Sequence, residues 1–155
     1  GAGGATRGIV GPLLAQHPGK LVIANRSVAR AKELVEALGN ANISKSTVLS
    51  ACPLDELRES FDIVIHATSL GLQDATPAVE PVIIGTHTDA YDLGYGTQGT
   101  PFTSWAQQHG AARAFDGIGM LVEQAAEAFW LWRGVRPETT DIRGLLSQSG
   151  ERNKP

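Results

Sequence analysis

The sequence predicts an α/β fold of the doubly wound type, in which a mainly parallel sheet carries helices on its faces. Short apolar runs rich in β-branched residues alternate with amphipathic segments, the pattern of parallel strands joined by helical crossovers. A glycine-rich stretch at positions 1–8 leads into apolar residues at helical spacing. Three later strand candidates each run directly into a polar or glycine-rich loop. Together these features favour a sheet whose strand ends form one crevice.

Length and composition restrict the classes of protein to which the chain can belong. Its 155 residues suit one domain, and 42% hydrophobic with 19% charged residues suits a soluble globule. A net charge of −3 without a dense basic block disfavours bulk nucleic-acid binding. No apolar run long enough to span a membrane and no signal peptide is found, so we expect a cytoplasmic protein. The single Cys52 and four scattered histidines give no zinc spacing.

The first half of the chain predicts alternating helices and strands. After the glycine loop come a helix that contains Pro12, a buried strand at 20–24, and a helix at about 28–38 that Ser27 caps and Gly39 ends. A weak strand is predicted at 46–49, a short helix at 54–58 and a strong strand at 62–67. This order is that of successive parallel crossovers.

The second half continues the alternation. A strand at 90–93 is followed by a turn at 94–96, and Thr100 and Pro101 predict the start of a helix that runs to about 109. A strand at 112–115 precedes a helix at 118–132, whose predicted apolar face comprises Leu121, Ala125, Ala128, Phe129 and Trp132. A last helical piece is predicted at 141–146. We therefore expect one domain at 1–146 and a polar tail at 147–155.

The glycine loop approximates a dinucleotide-binding fingerprint. Gly1 and Gly3 occupy the first two glycine positions, and Thr6 replaces the third. Glycines there let backbone amides approach a pyrophosphate at a helix N-terminus, as in Rossmann-like domains. A plain glycine-rich turn is the alternative at this point.

The residues that follow the strand predicted at 20–24 favour a phosphate ligand. The fingerprint expects an acid there to bind the ribose hydroxyls of NAD, but this chain has Asn25, Arg26 and Ser27, with Arg30 one turn later. Guanidinium groups have fork-shaped donors that match phosphate oxygens. The sequence therefore favours NADP through its 2'-phosphate, and the alternative is a solvated arginine pair. A methyltransferase would instead favour an acid at this position.

Several polar residues follow later strands. His66 is a candidate general base, but the sequence favours a structural imidazole because no partner is visible. Asp92 is expected to accept hydrogen bonds from loop amides. Tyr95 suits a substrate contact or a packing ring equally, and Gln124 is by periodicity a polar residue at the boundary of a buried face. The tryptophans at positions 105, 130 and 132 are interpreted as packing or interface residues.

Six segments together resemble the shikimate dehydrogenase family over nearly the whole chain and in the right order. They are Gly1-Ala2-Gly3-Gly4-Ala5-Thr6-Arg7-Gly8, Asn25-Arg26-Ser27 with Arg30-Ala31, Ala67-Thr68-Ser69 with Gly71, Tyr91-Asp92 with Tyr95, Thr100-Pro101-Phe102, and Gly117 to Ala126 with Gly119-Met120-Leu121-Val122 and Gln124. In that family this region is the C-terminal NADP-binding domain, and shikimate binds mainly to an N-terminal domain.

The resemblance implies a role for each matching position. Gly1, Ala2, Gly3, Gly4 and Ala5 would hold the pyrophosphate, and Asn25, Arg26, Ser27 and Arg30 the adenosine ribose with its 2'-phosphate. Thr68 would line the adenosine side of the crevice, while Leu93, Gly117 and Met120 would border the nicotinamide. Tyr95 and Gln124 would reach the substrate. His66 stands where the family usually has Asn and receives no role.

The resemblance also implies an incomplete enzyme. The family's catalytic Lys and Asp belong to the N-terminal domain, and nothing in this sequence corresponds to them. The chain starts on the glycine loop, so the strand that should precede that loop is missing. We therefore expect the NADP-binding half of an enzyme that reversibly reduces 3-dehydroshikimate to shikimate, inactive by itself. The alternatives are a quinate/shikimate dehydrogenase of broader specificity and a non-catalytic NADP-sensing module.

Overall fold

The computed structural model describes residues 1–39, 47–68, 79–96 and 99–142. These residues form four α-helices, five strands and two short 3₁₀ turns. In chain order the helices and strands are α1 (Gly4–Leu14), β1 (Lys20–Ala24), α2 (Val28–Gly39), β2 (Val48–Cys52), β3 (Ile63–His66), β4 (Asp89–Asp92), α3 (Pro101–Gln108), β5 (Arg113–Phe115) and α4 (Ile118–Arg133). The alternation of strands and helices confirms the predicted α/β class.

All strand pairs in the described residues are parallel. β1 pairs with β2 along its full length, from Lys20 opposite Val48 to Ala24 opposite Cys52. β4 lies between β3 and β5 in a second group, where His66 is opposite Asp92. Because parallel strands point the same way, the ends of β3 and β4 deliver these two side chains to one edge of the sheet.

A cavity separates the two groups of strands. It has a volume of about 680 Å³ and is lined by residues of β1 and β3, with Val10 and Leu13 of α1 among its walls. In the part of the chain that is described, β1 pairs only with β2 and β3 only with β4. Among the described residues, no strand lies between these facing strand edges.

Two predicted elements differ clearly in bounds or type, and one observed element was not predicted. The weak strand predicted at 46–49 is β2 at Val48–Cys52, and Ser46 lies outside the described residues. Pairing with all five residues of β1 extends it through Ser50, Ala51 and Cys52, a tertiary effect that local propensity does not contain. The helix predicted at 54–58 is a single 3₁₀ turn, Leu54–Glu56, because Leu57 is already extended. The 3₁₀ turn at Pro81–Ile83 was not predicted.

The core has two apolar clusters. Val10, Ile23, Ala31 and Leu34 bring α1 and α2 together against β1. The second cluster brings α3 against β4 and has Ala90, Phe102 and Trp105 among its members, while Val22 and Ala24 of β1 also pack against it. Trp105 is thus a packing residue, as predicted. The shared contacts tie the two groups of strands into one core despite the cavity between them.

The predicted apolar face of α4 is not its buried face. Val122 and Ala126 are buried, whereas Leu121 and Phe129 are exposed and Trp132 is 81% exposed. Helical periodicity identifies an apolar stripe but does not say what covers it, and no described residue covers this one. Trp130 is also exposed. The chain after α4 is held by Arg136, which forms ion pairs with Glu123 and Glu127.

The C-terminal predictions fall mostly outside the described residues. The chain is helical at 140–142, which overlaps the start of the helical piece predicted at 141–146. Residues 143–155, including the predicted tail at 147–155 and the end of the 1–146 domain, are not among those described. Both boundaries remain predictions.

Candidate functional site

The glycine turn lies where the ends of β1 and β3 meet. The backbone nitrogen of Gly1 donates a hydrogen bond of 2.7 Å to the carbonyl oxygen of Ala24, the last residue of β1. A Cβ on Gly1 would lie 2.6 Å from the carbonyl oxygen of Ala67 and 3.2 Å from Cγ2 of Thr68, just after β3. Only glycine fits between these strand ends without a shift of backbone. The turn is thus placed at the carboxyl edge of the sheet, where open α/β sheets bind ligands.

The first turn of α1 offers unoccupied backbone donors. Gly3 is the N-cap residue and has no side chain to satisfy the first amides of the helix. Gly3, Gly4 and Ala5 are exposed, and a Cβ at Gly3 or Gly4 would meet no atom within 4 Å. Thr6 is buried and donates its hydroxyl to the carbonyl oxygen of Gly1, which fixes the turn. An open, glycine-lined helix N-terminus suits the close approach of an anion.

Asn25, Arg26 and Ser27 follow β1 directly. The amide side chain of Asn25 donates to the carbonyl oxygen of Ser27 over 2.9 Å, and its backbone nitrogen donates to the carbonyl oxygen of Cys52. These bonds tie the segment to the ends of both β1 and β2. Arg26, Ser27 and Arg30 are exposed, and among the described residues neither arginine has an acidic partner. The carbonyl oxygen of Ala24 accepts the hydrogen bond from Gly1. The segment therefore begins directly after the residue that contacts the glycine turn.

A buried hydrogen-bond cluster joins the ends of β3 and β4. Nδ1 of His66 lies 3.0 Å from Oδ1 of Asp92, and Nε2 lies 2.6 Å from Oγ1 of Thr68. Asp92 also accepts the amide of Gly94 at 2.9 Å and the hydroxyl of Thr100 at 2.6 Å. Burial works to raise the pKa of Asp92, but the hydrogen bonds from His66, Thr100 and Gly94 together lower it below its usual value. Asp92 is therefore an ionised acceptor.

The cluster also fixes the start of α3. Thr100 caps that helix by accepting the backbone nitrogen of Thr103, whose hydroxyl accepts the nitrogen of Thr100 in return. The ring of Phe102, in the first turn of α3, stacks on the imidazole of His66 with ring centres 4.8 Å apart. The structure thus confirms His66 as a structural imidazole and Asp92 as an acceptor of a loop amide. It adds a pairing between them that the sequence analysis missed.

That pairing had one signal in the sequence. His66 and Asp92 each end a predicted strand or stand next to its end, and such residues meet when the strands are neighbours in register. The sequence does not say which strands are neighbours. The partner of His66 therefore could not be predicted before the strand order β3–β4–β5 was known.

Leu93 and Gly117, which share a predicted role, lie against each other. A Cβ on Gly117 would overlap the carbonyl oxygen of Leu93. Met120 instead lines a separate cavity of about 690 Å³, with Tyr91 and Phe115 in its wall. Burial raises the pKa of the Tyr91 hydroxyl, although a hydrogen bond with the backbone of Met120 opposes this shift. Like Leu93 and Gly117, Met120 does not line the cavity at the glycine turn. The role predicted for these three residues stays a prediction.

The two predicted substrate contacts are accessible side chains. Tyr95 is 58% exposed on the loop after β4, and Gln124 is exposed on α4. The substrate contacts of both residues stay predictions. Neither residue lines the cavity at the glycine turn.

The described ranges contain neither a membrane-spanning helix nor a candidate metal site. None of the helices there has the length and apolar character needed to cross a membrane. Across those same ranges, no three His, Cys, Asp or Glu side chains group in a way that could hold a metal ion.

Family models match the two parts of the chain that carry the glycine turn and α4. The model described as Shikimate / quinate 5-dehydrogenase matches residues 1–73. The model described as Shikimate 5'-dehydrogenase C-terminal domain matches residues 117–146. Together they cover well over half of the chain and include four of the six segments on which the resemblance rests.

Individual relatives agree with the family models. The chain is 50% identical over 142 residues to a shikimate dehydrogenase (NADP(+)) of Marinobacter nauticus, covering 92% of this chain and 51% of that protein. A crystal structure of an Ael1 enzyme from Pseudomonas putida shares 45% identity with a TM-score of 0.83, over 95% of this chain and 52% of that one. A shikimate dehydrogenase crystallised with NADP+ shares 29% identity with a TM-score of 0.79, over 96% and 52%.

The chain spans about half the length of the curated relatives that it matches. Within that half, the glycine turn and the arginines after β1 lie in the range that one family model matches, and α4 lies in the range that the other matches. The chain belongs to the shikimate dehydrogenase family.

Proposed function

We propose that this chain is the NADP-binding half of a shikimate dehydrogenase, whose parent enzyme reversibly reduces 3-dehydroshikimate to shikimate. The observation that carries the proposal is the hydrogen bond between Gly1 and Ala24, which joins the glycine turn to the strand that leads into Arg26. A pyrophosphate on the turn and a 2'-phosphate at the arginines are the two anionic groups of one NADP molecule.

The residues present fit such a cofactor. The open positions beside Gly3 and Gly4 leave room for phosphate oxygens at the amides of α1. Arg26 and Arg30 are exposed cations without acidic partners among the described residues, so a phosphate would not have to displace an existing ion pair. When bound, NADPH supplies the hydride. Thr68, Leu93 and Gly117 would border the bound cofactor at the carboxyl ends of β3, β4 and β5.

In the parent enzyme, this half would hold the cofactor in position for the substrate rather than donate or accept protons. Holding the two reactants in a productive arrangement can lower a barrier by about 7 to 11 kcal/mol in favourable cases. Tyr95 and Gln124 are accessible side chains that would contact the substrate. The proton donor and the residues that bind most of the substrate would come from the N-terminal domain of the parent enzyme. We place the enzyme in the cytoplasm.

The cavity between β1 and β3 would receive a strand of that parent enzyme. Two parallel strands with facing free edges and an apolar wall that includes Val10 and Val22 accept an extended apolar segment. Such a segment would satisfy the backbone groups that the described strands leave unpaired. Its position would also make it the strand that leads into Gly1.

The cofactor assignment is tested with Arg26→Glu in the complete open reading frame that encodes this chain. NADPH affinity, measured by fluorescence titration, should fall about ten- to a hundredfold, because a charged hydrogen bond is replaced by repulsion. NADH affinity should change little, since NADH lacks the 2'-phosphate. Lys32→Glu makes the same charge change further along α2 and should affect both cofactors weakly. Equal losses for NADPH and NADH in Arg26→Glu would contradict the proposal.

The substrate is tested separately. The family model names both shikimate and quinate, so oxidation of each acid with NADP+ should be compared in the complete protein. We expect shikimate to be strongly preferred. Comparable kcat/KM values for the two acids would favour the broader quinate/shikimate enzyme. Tight NADPH binding with no oxidation of either acid would favour a sensing module.

A further inference from the structure

One buried carboxylate joins the two ends of the loop between β4 and α3, which carries the predicted substrate contact Tyr95. Oδ1 of Asp92 accepts the backbone nitrogen of Gly94 at 2.9 Å, and Oδ2 accepts the hydroxyl of Thr100 at 2.6 Å. Asp92 is 1% exposed, so water does not compete for these bonds. The carboxylate therefore holds the loop both where it leaves the strand and where it enters the helix.

Tyr95 lies between two fixed points of this loop. Gly94, before it, is held by Asp92, and Gly96, after it, accepts the backbone nitrogen of Gly99 over 3.2 Å. A Cβ on Gly96 would lie 2.5 Å from the carbonyl oxygen of Gly99, so the backbone is closely packed at this point. The side chain of Tyr95 is nevertheless exposed. An exposed side chain on a fixed backbone suits a ligand contact, because little conformational entropy is lost on binding.

The same loop is attached to the start of α4. The carbonyl oxygen of Gly94 accepts the backbone nitrogen of Gly117, the N-cap residue of α4, over 2.7 Å. Gly94 is thus bonded on one side to Asp92 and on the other side to the helix that carries Gln124, the second predicted substrate contact. A shift of Gly94 would therefore change the position of Tyr95 relative to Gln124.

The cap of α3 does not explain this carboxylate. Thr100 and Thr103 exchange their two capping hydrogen bonds directly, and neither bond uses an atom of Asp92. A buried carboxylate is costly to remove from water, so capping alone gives no reason to place a charge here. The donors that Asp92 accepts come from β3, from the loop and from α3. Its contacts therefore join three elements rather than complete one of them.

We propose that Asp92 is a positioning residue, whose carboxylate holds the loop between β4 and α3 so that Tyr95 and Gln124 contact one substrate molecule together. Asp92 acts through the amide of Gly94, and no chemical step is assigned to it. The ligand concerned is the hydroxy acid rather than the nucleotide. The inference rests on the proposed function, because only a substrate bound at Tyr95 would be affected by the loop.

Asp92→Ala in the complete open reading frame tests this role, because it removes every acceptor of the carboxylate. With saturating NADP+, kcat/KM for oxidation of the acid that the wild-type protein uses should fall about ten- to a hundredfold, the effect of a misplacement of about 1 Å. NADPH affinity, measured by fluorescence titration, should change less than about threefold, since no hydrogen bond to a phosphate is lost. Equal losses of affinity and of kcat/KM would overturn the inference.

Thr88→Ala is the matched control for the loss of a buried polar group. Thr88 is fully buried just before β4, where its hydroxyl accepts the nitrogen of Gly85 at 2.8 Å and donates to the carbonyl oxygen of Phe61 at 2.6 Å. It lies at the opposite end of the strand from the loop, so kcat/KM should stay within about twofold of the wild-type value. A loss as large as that in Asp92→Ala would indicate general destabilisation and overturn the inference.

A double-mutant cycle tests whether Asp92 acts through the loop. Tyr95→Ala alone should lower kcat/KM, and in that background Asp92→Ala should lower it by less than about threefold more, because the positioned side chain is already absent. Losses that multiply would contradict the inference. Unchanged kcat/KM in Tyr95→Ala would contradict it as well, since the loop would then carry no substrate contact.

A variant on the loop keeps the inference testable if Asp92→Ala does not fold. A Cβ on Gly94 would lie 3.3 Å from Oδ1 of Asp92, so Gly94→Ala should displace the loop slightly and leave the carboxylate in place. We expect kcat/KM to fall at least about threefold with NADPH affinity unchanged. If the complete wild-type protein oxidises neither shikimate nor quinate, the proposed function fails and the inference with it. Normal wild-type activity with no loss in Asp92→Ala or Gly94→Ala refutes only the role of Asp92.

Discussion

The backbone nitrogen of Gly117 donates a hydrogen bond of 2.7 Å to the carbonyl oxygen of Gly94. This contact joins the loop after β4 to the start of α4 at the carboxyl edge of the sheet. A Cβ on Gly117 would lie 3.0 Å from that same oxygen and would overlap the carbonyl oxygen of Leu93. Close approach of two backbone segments, rather than an unusual backbone angle, requires glycine here.

We expect Gly117→Ala to destabilise the protein by roughly 1 to 3 kcal/mol, the usual cost of forcing extra volume into a packed site. Thermal and urea unfolding measure the change. Gly119→Ala is the matched control, because a Cβ there meets no atom within 4 Å and alanine favours helix. It should leave stability unchanged or raise it by up to about 1 kcal/mol. Equal destabilisation by both variants would refute the steric argument.

We expect a substitution in the glycine turn to change binding far more than stability. Gly3→Val fits the extended backbone of the N-cap, and its Cβ would meet no protein atom within 4 Å, so the cost to the free energy of unfolding should be the roughly 1 kcal/mol of a poorer N-cap residue. Its side chain would occupy space needed by phosphate oxygens, and NADPH affinity should fall at least about tenfold. Gly8→Ala, within α1, should leave affinity intact. Normal NADPH binding by Gly3→Val would remove the turn from the site.

We predict that the ionised Asp92 makes part of the free energy of unfolding depend on pH in the acid range. Burial favours its neutral form, but the hydrogen bonds from His66, Thr100 and Gly94 hold its folded pKa below the unfolded value of about 3.9. The carboxylate therefore contributes stability that is complete above the unfolded pKa and is lost as the pH falls through the folded pKa. Asp92→Asn should cost roughly 1 to 3 kcal/mol at pH 7 and flatten the pH dependence of unfolding below about pH 4.

Asp89→Asn is the control for that prediction. Asp89 lies at the opposite end of β4, and a hydrogen bond from Arg113 is the main cause that lowers its pKa. Because this pair is exposed to solvent, its loss should change acid sensitivity much less. A pH dependence that is flattened more by Asp89→Asn than by Asp92→Asn would show that the buried cluster does not determine the response.

Hydrogen exchange tests the cavity between β1 and β3. In the 155-residue chain alone, alternate amides of β3 face the cavity and should exchange quickly, whereas those of β4 bond to strands on both sides and should be protected. In the complete protein the amides of Ile63 to His66 should become protected if a strand fills the gap. Fast exchange at β3 in the complete protein would show that no strand lies there.

The sequence by itself determined the α/β class, the order of the helices and strands, and the glycine turn. Each depends on local chemistry: apolar runs predict strands, Thr100 and Pro101 begin α3, and glycines leave amides open beside a helix start. The family resemblance also came from short linear segments. Such signals are readable because the residues that produce them are neighbours in the chain.

Only the tertiary structure decided how distant residues meet. The pairing of His66 with Asp92 depends on β3 and β4 being neighbours in register, which neither strand specifies alone. The full length of β2 depends on β1, and the buried face of α4 is set by Val122 and Ala126 rather than by the stripe with the most apolar surface. Side chains 26 residues apart interact only after the backbone has brought them together, so the local sequence pattern does not predict that contact.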